Sequence, residues 1–252
     1  MEVKPAAGIP TFRISQSRSE ILPTLPARII VAAPSGGGKT VLMTQLLTDP
    51  AFYGGKLSKI YYFSASATVD SSLIPLRKYC EERLDQGEDD PCLYDTWDTA
   101  VLTGIIEKQK AVTEHLKHRG KRLMSIAIIC DDFADQPSVV RKGILDTLFV
   151  RASRHFNILT IVATQKYRLL SPVLRVNATA LFVFRLRNRG DLSAIIEENS
   201  ALLDQQTLMR FYQRATQDPF GFLFISLSAH EVEKMFFRSF LSRLVVGHSS
   251  QS

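Results

Sequence analysis

The sequence predicts an α/β fold built on a mostly parallel sheet flanked by helices. Short β-rich runs alternate with helical patterns along the chain. The runs at 124–130 and 158–164 are almost continuously apolar, as strands covered on both faces should be. A glycine-rich loop also joins an apolar run to a helical one at 33–40, a junction typical of such folds.

Taken in order, residues 1–26 hold Pro5, Pro10, Pro23 and Pro26 and read as an irregular arm. Strands are expected at 28–33, 58–64, 124–130, 158–164, 180–186 and 220–227, where β-branched and aromatic residues concentrate. Helical spacing is expected near 38–48, 72–84, 98–118, 138–155, 190–199 and 201–216. The stretch from Gln86 to Pro91 reads as a loop by its turn residues and like charges. The amphipathic segment Glu231–Leu241 fits core packing or a contact with a subunit or capsid. The expected division is an arm at 1–26, one core at 27–228 and a C-terminal segment at 229–252, fraying from Val246.

At 252 residues the chain can bury a full core, and 45% apolar with 22% charged residues excludes a disordered chain. No apolar run approaches the ~20 residues of a membrane span. The first 26 residues lack the apolar stretch of a secretory signal. Cys80, Cys92 and Cys130 are odd in number and lack CxxC spacing, which suggests a reducing compartment without disulfides or zinc. The net charge of +6 is unevenly placed. Residues 137–190 carry ten Lys/Arg against Asp146 alone, whereas 81–100 carry eight acids and only Arg83. The basic zone fits a polyanionic partner, and equally a solvated face or subunit contacts.

Three motifs carry chemistry. Ala33-Pro34-Ser35-Gly36-Gly37-Gly38-Lys39-Thr40 is a phosphate-binding loop, with Ala33 where a first glycine usually stands. Its backbone amides can turn inward around phosphate oxygens at a helix N-terminus. Lys39 can then reach the β- and γ-phosphates of ATP, and the Thr40 hydroxyl can hold Mg²⁺. The second motif is Asp131-Asp132 at the end of an apolar strand. There Asp131 can hold Mg²⁺ opposite Thr40, and Asp132 can orient and deprotonate the attacking water. The third is Gln165, which ends the next apolar strand and can contact the γ-phosphate or the water. Arg154, with Arg151 beside it, is a candidate arginine finger acting on a neighbour's site, a role typically worth ~10³–10⁵ in rate.

Together with Leu174-Arg175-Val176-Asn177 and Pro219-Phe220-Gly221-Phe222-Leu223-Phe224-Ile225, these segments resemble the genome-packaging ATPases of large DNA viruses and virophages. Those proteins belong to the FtsK–HerA superfamily of DNA-pumping motors. The resemblance spans roughly 27–228, and Asp132 departs from the Glu more common in cellular relatives. It implies a RecA-like P-loop NTPase sheet with an additional strand between the Walker A and Walker B strands. It also implies a homo-oligomeric ring, pentameric or hexameric, with ATP at subunit boundaries, Arg154 offered in trans and double-stranded DNA in the pore. Capsid or vertex proteins are the implied docking partners, at sites of virion assembly in the host cytoplasm or nucleus. Lys166, Arg168 and Arg175 are, by position, candidates for coupling the nucleotide state to DNA or to the neighbouring subunit. Two other readings share the loop: a phosphotransferase acting on a small substrate, and a nucleotide-gated binding protein with little turnover. The paired Asp131-Asp132 with Gln165 fits water activation better than either.

Overall fold

Six apolar runs separated by helical segments have one economical arrangement, a sheet buried between two helical layers, and the chain adopts it. The computed structural model describes residues 12–133, 139, 143–201 and 203–245. Strands β1 (Arg28–Ala32), β2 (Lys59–Ser64), β3 (Leu93–Tyr94), β4 (Ile126–Asp131), β5 (Ile158–Thr164), β6 (Ala180–Phe184), β7 (Phe222–Ser226), β8 (Phe236–Arg238) and β9 (Ser242–Arg243) form one sheet. Their order is β3-β2-β4-β5-β1-β6-β7-β8-β9. Pairings from β3 through β6 are parallel, and those from β6 through β9 are antiparallel. Strand β5 lies between β1 and β4, the insertion expected between the loop strand and the carboxylate strand.

The helices are α1 (Lys39–Thr48), α2 (Ile74–Leu84), α3 (Thr99–His118), α4, α5 (Pro172–Asn177), α6 (Arg189–Glu198) and α7 (Gln205–Ala215). Helix α4 runs through Ile144–Thr147, a π-helical Leu148–Ala152 and Ser153–Phe156. Alternate residues of β1 point to opposite layers. Ile30 and Ala32 join Ile106, Phe149 and Leu208 on one face, while Ile29 and Val31 join Leu42, Met43 and Leu76 on the other. β4 and β5 are buried at every position, which is why neither alternates in sequence.

Helix starts follow ordinary capping chemistry. Asp98 accepts from the amides of Ala100 and Val101 at α3, Asn188 from Asp191 at α6, and Asp204 from Thr207 at α7. Helix α1 departs from this, as described below.

All six expected strands form, with ends displaced by a few residues. Helix α5 and strands β3, β8 and β9 were not anticipated, since two- or three-residue strands and a six-residue helix are too short for periodicity to register. Of the arm, residues 12–26 are described, and they are fastened to the core. Leu22 and Leu25 are buried, the Gln16 side-chain amide brackets the Leu25 backbone at 2.7 and 2.9 Å, and Tyr53 donates to Pro23 O at 2.7 Å. Residues 1–11, the basic-zone residues Arg141 and Lys142, and the tail from Val246 lie outside the described residues.

The segment Glu231–Leu241 takes the packing role. Phe236 and Phe237 are buried on β8, and Phe240 meets Phe52, Phe182 and Phe222 at centroid distances of 4.6, 5.8 and 5.3 Å. The sheet therefore continues past residue 228. Inside the expected loop, Gln86 is buried. Its amide accepts from Ile60 N at 2.8 Å and donates to Ile60 O at 3.0 Å, standing in for a paired strand.

Phe224 is fully buried, against Phe182 at 4.7 Å and Phe237 at 5.8 Å. Removing its ring leaves a cavity where sheet and C-terminal strands meet. Phe224→Ala is expected to lower stability by about 3–5 kcal/mol, read from the midpoint of denaturant unfolding.

Candidate nucleotide site

The loop after β1 is shaped by its own backbone. Ala33 N donates to Thr164 O at 3.1 Å, tying the loop's start to the end of β5, and Gly37 N closes a turn on Pro34 O at 3.1 Å. Gly36 and Gly38 sit at φ +71 and +95, a region where a side chain is strained. Gly37 is required sterically, because a Cβ there would stand 2.9 Å from Pro34 O. Helix α1 then begins at Lys39 with no side-chain cap, unlike α3, α6 and α7, and with no acid in its first turn. Its first amides and positive dipole end are left for an anion.

Parallel pairing places the ends of β1, β4 and β5 along one edge of the sheet, and the predicted residues converge there. Asp131, at the end of β4, is only 4% exposed. Its Oδ2 accepts from the Tyr62 hydroxyl at 2.8 Å, and its buried Oδ1 has no hydrogen-bond partner. Lys39 Nζ is 3.8 Å from that Oδ1 and forms an ion pair with Asp132. Asp132 has φ +56, a left-handed conformation that Asp tolerates better than most residues. That turn swings its carboxylate toward Gln165, whose Nε2 donates to Asp132 Oδ1 at 3.2 Å. Thr40 Oγ1 donates to Asp70 Oδ2 at 3.4 Å. These residues, except Gln165 and Tyr62, line a cleft of about 380 Å³ with Pro34, Ser35, Ser66 and Phe220.

The electrostatics follow from burial. Removal from water pushes the Asp131 carboxyl up to about 6; Lys39 opposes that shift, Asp132 adds to it, the Tyr62 hydrogen bond lowers it and Asp70 raises it. Tyr62 is held well above its ordinary value, first by burial and then by Asp131. Asp131, with one buried oxygen that has no hydrogen-bond partner, and Thr40 line the same cleft, and their oxygens suit a hard cation such as Mg²⁺.

The other predicted residues stand apart from this cleft. Arg154 is exposed near the end of α4, close enough to Arg28 at the start of β1 to add to the lowering that burial causes there. It is therefore at the opposite edge of the sheet from Lys39. Arg151 lines a separate cleft of about 460 Å³ with Glu107, Lys110, Lys117 and His155. Lys166 follows Gln165 and donates its amide to Thr164 Oγ1 at 3.0 Å. Arg168 is exposed, with its amide bound to Asp191 Oδ1 at 2.9 Å. Arg175 is held within the chain, in an ion pair with Glu198 and 5.6 Å from the centre of the Tyr167 ring.

Three residues of the site escaped sequence reasoning. Tyr62 looks like any strand aromatic until β2 is known to pair with β4. Asp70 shows the signature of a cap, accepting from Ser72 N at 2.9 Å, yet nothing in the chain places it beside Thr40. Phe220 reads as the start of β7 but lies before it, 70% exposed against the loop.

No protein-family model matches the chain. It is similar to protein 075L of Invertebrate iridescent virus 6, 21% identical over 215 residues, which cover 81% of this chain and 72% of that protein. It is also similar to protein 088R of Invertebrate iridescent virus 3, 28% identical over 162 residues, covering 64% of this chain. There the match spans about half of the relative, 54% of its length. Among solved structures, the genome packaging NTPase B204 of Sulfolobus turreted icosahedral virus 2, in complex with AMPPCP, aligns with a TM-score of 0.55. Identity is 16%, and the alignment covers 82% of this chain and 95% of that one. The chain thus shares its fold with that viral NTPase.

The raised carboxyl of Asp131 has a consequence for stability. The unfolded chain releases this proton near 3.8, whereas the folded chain keeps it to about pH 6. The ionised group therefore costs stability above pH 6, by about 3 kcal/mol, and the cost fades as pH falls toward 4. Asp131→Asn is expected to melt above the parent protein at about pH 7.5 and level with it near pH 4, measured without nucleotide or divalent metal.

Proposed function

We propose that this chain is an ATP-hydrolysing motor that moves double-stranded DNA into a viral capsid. The observation that carries the reading is the convergence of Lys39, Thr40, Asp131, Asp132 and Gln165 on the edge of a sheet whose fold is shared with a viral packaging NTPase.

The loop amides from Gly36 to Thr40 receive the triphosphate, and Lys39 turns from Asp132 to the β- and γ-oxygens. Releasing Lys39 frees the Asp132 carboxylate to accept a proton from water. Gln165, already hydrogen-bonded to Asp132, orients that water and registers loss of the γ-phosphate. Thr40 and Asp131 would hold Mg²⁺, which when bound offsets charge on the phosphate oxygens. Because Arg154 stands at the far edge of the sheet, its catalytic role is in a neighbouring copy's cleft, within a ring. Lys166 and Arg168 are exposed beside Gln165 and pass its state to DNA or to the next subunit; Arg175 supports them through Glu198 and Tyr167. The similarity to iridescent-virus proteins supports a viral setting, with capsid or vertex proteins as docking partners at sites of virion assembly.

Steady-state ATP hydrolysis with and without linear duplex DNA tests this. DNA is expected to stimulate turnover, and Lys39→Ala or Asp132→Asn to reduce it at least 100-fold. Arg154→Ala is expected to be inactive alone and to regain activity when mixed with Asp132→Asn, since mixed rings pair an intact cleft with an intact arginine. Hydrolysis indifferent to DNA and to Arg154 would remove the motor reading and leave a plain NTPase.

A further inference from the structure

A second cleft, of about 260 Å³, opens on the other side of the phosphate loop. It shares Pro34, Gly36, Gly37 and Phe220 with the phosphate cleft and adds Phe184, Arg185, Gln217 and Asp218. Phe220 is the wall between the two. Its backbone is unusual, because Asp218 to Gly221 form a turn closed by Gly221 N on Asp218 O at 3.1 Å. Pro219 takes the second position and Phe220 the third, at φ +60, where glycine or asparagine normally stands. Gly221 next to it has no room for a side chain, since a Cβ there would sit 2.6 Å from Ala215 O. The turn thus holds a large aromatic ring 70% exposed, away from the Phe cluster of Phe182, Phe222 and Phe224 directly beyond it. The ring lies against the loop: a Cβ built on Gly38 would be 3.2 Å from Phe220 Cδ1 and 3.7 Å from Phe184 Cε1. An exposed aromatic in a strained turn persists where its position is used rather than where packing needs it.

From this geometry, and on the reading that the loop binds a nucleoside triphosphate, we infer that Phe220 is the stacking platform for the nucleobase. Phosphates held by residues 36–40 leave the rest of the nucleotide only short routes outward, and the adjoining cleft begins at the same glycines. There the base lies on the Phe220 face, with the Arg185 guanidinium and the Gln217 amide available to its ring edge. The Asp218 carboxylate is engaged by Arg238, which fixes the turn from behind. Phe220 therefore contributes affinity for the nucleoside part and none for the phosphates.

Calorimetric titration of the full chain with ATP and with inorganic tripolyphosphate, both with Mg²⁺, separates these contributions. Phe220→Ala is expected to bind ATP roughly 5- to 150-fold more weakly, the equivalent of about 1–3 kcal/mol of base stacking, while binding tripolyphosphate like the parent. Phe220→Trp is expected to retain ATP affinity. The inference is overturned if Phe220→Ala keeps parental ATP affinity, or if it loses ATP and tripolyphosphate in equal proportion, which would make Phe220 a support of the loop. It is also overturned, with the loop's role intact, if the parent binds tripolyphosphate as tightly as ATP. Failure of the parent to bind either ligand would remove the nucleotide reading itself.

Discussion

Parallel pairing of β4, β5 and β1 is the constraint on which the rest of the molecule depends. Asp131 is in register with Ala163, and Ala32 with Thr164, so three strand ends finish together. Lys39, the Asp131-Asp132 pair and Gln165 lie far apart in sequence, and no local preference assembles them. Two continuous ladders through β5 do so, held by a core buried on both faces. Strand β5 thus couples the loop to the carboxylates twice, through its backbone and through Gln165 at its tip.

That assembly concentrates charge in a place poor in water. Lys39 is the cation set between two carboxylates, and Asp70 adds a third acid beside Thr40. Pairing satisfies Asp132, but Asp131 keeps one oxygen without a hydrogen-bond partner. A buried, partly satisfied acid is costly in the folded protein, and a site tolerates it where a ligand completes the bonding. The uncapped start of α1 has the same character, with backbone donors unmet by any side chain of the first turn. Both ends of the cleft are therefore incomplete in complementary senses, with donors at the loop and acceptors at the strand.

Much of this was legible in the sequence because the relevant signals are local. The strand–glycine loop–helix junction, the carboxylates after an apolar run and Gln165 after another each announce themselves within about ten residues. What escaped depends on pairing that only the fold creates. Tyr62 reaches Asp131 across neighbouring strands, and Asp70 meets Thr40 across a 30-residue separation. Strand β8 shows only as an amphipathic segment, because three residues are too few for periodicity to separate strand from helix. Arg175 is, by position, a candidate for coupling to DNA or a neighbouring subunit, and its ion pair with Glu198, 23 residues on, is beyond local reading.

Gln86 gives the sheet a property that concerns crowds of molecules rather than one. The outer edge of β2 would expose unpaired amides and carbonyls to any passing strand. The Gln86 side chain satisfies Ile60 on both groups, Cys92 O takes Tyr62 N at 2.7 Å, and β3 supplies only two residues before the chain turns away. Strand β9 ends the opposite side after two residues as well. With both margins short or sealed by a side chain, the sheet offers little template for strand-on-strand addition. Copies brought together at high local concentration are left to meet through their surfaces, which can separate again, and not by fusing their sheets.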